Sequence, residues 1–170
     1  MTTTTITSGQ TVSFTTISTG DTQIVQSSGT TILPFVAGGT LVLQGGTASG
    51  AQVTSSGLLE VSAGGFGENI SASGASAVVS AGGQIVSGSF SLSDLTLSGG
   101  TASAITLIGG SETVSSGGMA LNTTVGQGSS GSHFVSGELD IVSGGFASGV
   151  HLISGGTLLV RRGGLQATSR

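Results

Sequence analysis

Cysteine, tryptophan, tyrosine and lysine are missing from this 170-residue chain, and proline occurs once, at Pro34. Without cysteine there are no disulfides, thiolate metal sites or cysteine nucleophiles. Charge is scarce: 6% of residues are Asp, Glu, Lys or Arg, against roughly 25% in ordinary globular domains. Three arginines and a net charge of −4 leave no surface able to track a phosphate backbone, which excludes nucleic acid as a partner. Apolar residues come in runs of two to four, far short of the about 18 a membrane helix needs, so this segment inserts no such helix. The N-terminal "MTTTTITSGQ" lacks the basic and apolar regions of a secretory signal. An exported chain of this kind carries its signal elsewhere or leaves by another route.

What the chain does have is glycine, 33 residues of it, together with 36% hydrophobic residues. That aliphatic content separates it from disordered glycine-rich chains, which cannot bury a core. The glycines keep time. Gly46, Gly65 and Gly83, then Gly100, Gly118, Gly137 and Gly156, recur every 18 or 19 residues, and glycines between them split each unit into a long and a short part. Four residues before the glycine closing the short part stand Val42, Val61, Val79, Val114, Ile141 and Val160, with Leu97 displaced by one in "SDLTLSGG". Seven residues after the glycine opening the long part stand Val36, Val53, Phe90, Leu107, Val125 and Leu152. Two residues after the same glycine the side chain is small: Ala48, Gly67, Ala102, Ala120 and Ala147.

The segments between glycines are too short for helices and rich in Val, Ile, Leu and Thr, so they read as strands. In "GELDIVSGG", Leu139 and Ile141 alternate with Glu138 and Asp140, one pair inward and one outward. Gly-Gly corners supply positive φ and let successive corners stack closely. One such coil cannot bury its own apolar row, but a stack joined by parallel pairing can. The expectation is an all-β parallel β-solenoid of about eight coils of roughly 19 residues, on the order of 40 Å long. It occupies residues 9–170 as one domain after a lead-in at 1–8.

Two stretches break the register. Corner glycines vanish over 84–97, and 126–136 holds an extra half-unit, which predicts a bulge or side loop near 126–133. The closing "GGLQATSR" begins another long part with no polar cap behind it. It predicts an array that continues further, or open strand edges that favour end-to-end stacking.

Units such as "GGTASGAQVTSSG" (45–57), "GGTASAITLIGG" (99–110) and "GGMALNTTV" (117–125) resemble the repeats of AIDA-type autotransporter passengers over roughly residues 9–168. The resemblance implies a right-handed parallel β-helix at a bacterial cell surface or outside the cell. It also implies a role as adhesin or adhesin stalk in aggregation and biofilm formation, with sugars added to Ser and Thr in some members. The expected partners are a second copy of the chain, or a surface or glycan.

Solenoids also host carbohydrate-active enzymes, so the polar residues need weighing. The acids are Asp21, Glu60, Glu68, Asp94, Glu112, Glu138 and Asp140; the bases are Arg161, Arg162 and Arg170. Glu138 and Asp140 form the best carboxylate pair, but glycosidases also need sugar-stacking aromatics, and Trp and Tyr are absent. Two outward acids on a strand read better as a solvated face. His133 and His151 have no ligand partners at metal spacing. "GGFGENIS" approaches a calcium repeat only at Glu68, and only once. No catalytic residue, metal or cofactor is expected. An ice- or crystal-binding face would need threonines in register, yet Thr40, Thr47, Thr101 and Thr157 alternate with Leu58, Phe66, Ser111 and Phe146.

Overall fold

The computed structural model describes residues 1–167, which form 25 strands and no helix. Nine strands, from Thr3–Ile6 to Gly156–Val160, stack as one parallel sheet, sheet A. Within it Thr22 lies opposite Thr40, Thr40 opposite Leu58, Leu58 opposite Ser76 and Ser76 opposite Asp94, each partner 18 residues on. The step is 17 from Asp94 to Ser111 and 19 from Glu138 to Thr157. The chain is therefore a parallel β-solenoid of nine coils of about 18 residues, where glycine spacing predicts about eight of 19.

The extra coil comes from the residues read as a lead-in. Thr3–Ile6 pairs with Thr22–Gln26, and Ile6 is buried. Thr2 donates from its backbone N and Oγ1 to Asp21 Oδ1, at 2.7 and 2.8 Å, and these bonds hold the Asp21 carboxyl below its ordinary range. A run of β-branched threonines makes a strand without any glycine to announce it.

Each coil has three sides. After its sheet A strand come two sides in sheet B, as separate short strands such as Thr30–Ile32 and Phe35–Ala37 or as one bent strand of eight residues in Phe66–Ser73, Gln84–Ser91 and Thr101–Ile108. A single residue with positive φ bends the chain between them. Glycine takes that position at Gly50 and Gly149, but Phe14, Leu33, Asn69, Ser87, Ala104 and Asn122 hold it elsewhere, with φ of 51–61°. The left-handed region costs an L-residue about 1–2 kcal/mol, which neighbouring ladders on both sides outweigh.

The core is the lumen of the stack. Val36, Val53, Phe90, Leu107 and Val125 form one inward row, as their distance from glycine predicts. Leu152 continues that row but is 45% exposed, because no described strand pairs with its far side. Val42 is corrected: it faces outward opposite Glu60, and Leu43 takes the inward place beside Val61. The corner after Leu43 is one residue shorter than the one after Val61, so counting back from glycine lands on the wrong neighbour.

The stretch 84–97 is regular. Gln84–Ser91 and Asp94–Ser98 are paired with the coils on both sides. Ser87 and Leu92 occupy its left-handed corners at φ 61° and 49°, so no glycine marks them.

Residues 126–136 do depart. The step from Ser111 to Glu138 is 27 residues, and Gly128–Ser130 folds back antiparallel on His133–Val135. Gly131, at φ 62°, opens the two-residue turn in type II′ fashion. The hairpin leaves and rejoins at one corner: a Cβ added to Gly137 would strike the Gly126 carbonyl. Since residues 129–134 contribute nothing to the core, deleting 128–136 restores an 18-residue step. The expected melting temperature, followed by circular dichroism, stays within a few degrees of the parent. A fall beyond about 10 °C would mean the hairpin staples its coil.

Candidate functional site

Alternation turns every second side chain of each strand to solvent, so each stacked position becomes an outward row. In sheet A one such row begins Thr3, Thr22, Thr40, then Leu58 and Ser76. Thr157 joins this row, whereas Thr47 and Thr101 lie in a sheet B row with Phe66 and Gln84 between them. Neither row is a continuous threonine ladder.

Glu138 and Asp140 both face outward on Gly137–Ile141, but they are not equivalent. Asp140 accepts hydrogen bonds on both carboxylate oxygens from Arg161 Nε, each at 2.8 Å, across a sequence separation of 21. Glu138 lies opposite Ser111, whose hydroxyl donates to Asp94 Oδ1 at 2.6 Å. Asp140 is thus committed to an ion pair, and the two acids do not share one task. Glu68 accepts from Ser49 Oγ at 2.8 Å, a contact between adjacent coils. His133 sits on the hairpin and His151 opposite Thr124, both exposed. Among the described residues no three His, Asp or Glu gather within reach of one metal ion. Arg170 lies outside the described residues.

The hairpin sculpts the surface on both of its sides. On its sheet A side, Asp94, Ser111 and Glu138 face Ser130, Val135 and Ser136 across a cleft of about 500 Å³. On the other side, Ser91, Ile108 and Gln127 lie under Phe134, whose side chain is 78% exposed.

One polar residue is far from the surface. Glu112 is fully buried between Leu95 and Leu139, in the row that also holds Leu41 and Leu59. Burial pushes its carboxyl up to about 7, opposed only by Thr123. Linear spacing hides it among the other acids. The signal lay in setting "SETVSSGG" against "ELDIVSGG", which places Glu112 in phase with Leu139; against "SDLTLSGG", whose corner is one residue shorter, the match to Leu95 needs a shift of one.

No protein-family model and no curated protein matches the sequence. Among solved structures, the chain is similar to a hyper-glycosylated fragment of TibA, residues 55–350, whose glycosylation is catalysed by TibC. The two share 27% identity at a TM-score of 0.62, over 97% of this chain and 73% of that one, so the solenoid fold is common to almost the whole of this chain.

Proposed function

We propose that the chain is a non-enzymatic repeat module of a bacterial surface protein, a stalk or adhesive passenger segment acting in self-association, cell aggregation or attachment. The carrying observation is the outward surface. Nine stacked coils present rows of hydroxyls with few charges, and the one outward carboxylate pair is divided by an ion pair to Arg161. A stiff rod with repeated weak contacts gains strength through avidity, and low charge limits repulsion between parallel rods. Similarity to a hyper-glycosylated fragment over 97% of the chain supports added sugars on exposed Ser and Thr.

Two measurements test this. Sedimentation velocity with small-angle scattering over a concentration series is expected to reveal lengthening or lateral pairing of rods. A rod that stays monomeric throughout would sink self-association and leave attachment. Co-expression with TibC is expected to add sugar masses to the intact chain; an unmodified mass would remove the glycosylated reading.

A further inference from the structure

We propose that Glu112 is a buried proton-binding site that controls opening of the coil from which the hairpin projects: protonated it keeps that coil closed, ionised it loosens it.

The argument begins with alternation in Ser111–Ser115, which sends Glu112 and Val114 into the lumen. Above and below, Glu112 meets Leu95 and Leu139, neither of which can bond to it. The one polar group facing it is Thr123, also fully buried, directly before the strand Thr124–Gly126 that runs to the hairpin base. Both Glu112 carboxylate oxygens and Thr123 Oγ1 lack a hydrogen-bond partner.

The same inward row holds a polar residue that is satisfied. Gln23, opposite Leu41, is 2% exposed; its Nε2 donates to Thr15 Oγ1 at 3.1 Å and its Oε1 accepts from Thr31 at 3.2 Å. A neutral amide bonded at both ends fits this lumen. A carboxylate whose one polar neighbour is the Thr123 hydroxyl does not, since a charge so weakly compensated in an apolar interior is far costlier than a neutral acid.

Among the described residues no charge compensates it. Asp94 on one neighbouring strand, and Glu138 and Asp140 on the other, point outward. Thr101–Ile108 and Thr124–Gly126 carry no ionisable side chain, and Arg161, after Gly156–Val160, is engaged by Asp140. Among the described residues Glu112 is the only ionisable side chain in the core.

The direction follows. The folded-state value, about 7, stands above the ordinary 4.5, so the opened coil loses its proton first as pH rises. The stabilising contribution is complete below about pH 4.5, drains away up to about 7, and does not change further above. Solenoid coils contact only their neighbours, so the cost falls on the ladder between Ser111–Ser115 and Gly137–Ile141 and on the hairpin joining them.

The test is hydrogen exchange by mass spectrometry on the full chain from about pH 4.5 to 8, corrected for intrinsic rates. Protection at 111–126 and 137–141, relative to 40–80, is expected to fall by up to about 300-fold in the parent. The ratio is expected to stay flat in Glu112→Gln, and in Glu112→Leu, which extends the flanking leucines and keeps the test open should the glutamine variant fold poorly. A flat ratio in the parent, or the same fall in the variants, overturns the assignment; an equal fall along all coils overturns its local action.

Discussion

Gly145→Ala is expected to lower stability by about 3 kcal/mol, whereas Gly144→Ala one residue earlier costs about 1 kcal/mol. The two glycines of a corner do different jobs. Gly144 holds φ at 79°, and an added Cβ would find only ordinary contacts, the nearest being Ser116 Cα at 3.4 Å. Another coil places serine there, Ser28 at φ 62°, so the position tolerates a side chain at the cost of its backbone conformation. Gly145 has no positive φ but lies against the coil beneath, where a Cβ would collide with the Val114 carbonyl. The same holds at Gly65 and Gly118, whose added Cβ would lie 2.5 Å from Leu43 O and 2.6 Å from Leu97 O. A backbone carbonyl inside a ladder cannot move aside without opening that ladder. Urea unfolding of both variants checks this, with Gly145→Ala also melting roughly 6–12 °C lower. Equal costs at the two positions would mean the corners are specified by φ alone.

That division explains what was legible in the sequence. The second glycine of the corner after each sheet A strand, from Gly29 to Gly164, is fixed by steric contact, so it recurs faithfully, and every row counted forward from it is correct, from Val36 through Val125. Positions fixed only by φ are free to vary. The bend inside the long part passes from Phe14 to Leu33, Asn69, Ser87 and Ala104 with no one residue type marking it, which is why each coil reads as two segments when it has three sides. Counting backward fails at Val42 because corner length varies by one residue while strand pairing does not. The outward acids were legible from alternation. Their consequence was not, since the Arg161–Asp140 bond joins residues 21 apart through stacking. Glu112 differs again: a charged residue in an apolar row contradicts the pattern around it, so its phase with Leu139 is easily passed over until the pairing with Leu95 and Leu139 places it inside.

The irregular-looking stretch "QIVSGSFSLSDLTLSGG" yields the second large effect. Phe90 is fully buried in a row whose neighbours are Ala72 and Leu107, and Gly88 lies in the row of Ile70 and Ile105. A Cβ on Gly88 would come 2.9 Å from Phe90 Cε2 and 3.2 Å from Ile105 Cδ1. The ring therefore fills the space that a side chain at 88 would take, and Ala72 leaves room on the adjoining coil. Phe90→Ala is expected to cost about 3–5 kcal/mol through lost burial and the cavity left behind. Gly88→Ile alone is expected to cost about 3 kcal/mol, because it forces the ring off its seat. Together they exchange one packing solution for the aliphatic one used by Ile70 and Ile105, so the double variant should lose about 2 kcal/mol less than the sum. Chemical unfolding of the four proteins closes the cycle. Additive losses would mean that residues 88 and 90 do not share space and that the ring is held by other contacts. A clear coupling would mean that this coil departs from its neighbours in volume but not in register. Stacking demands a common backbone and a filled lumen, and it leaves open which row supplies the atoms.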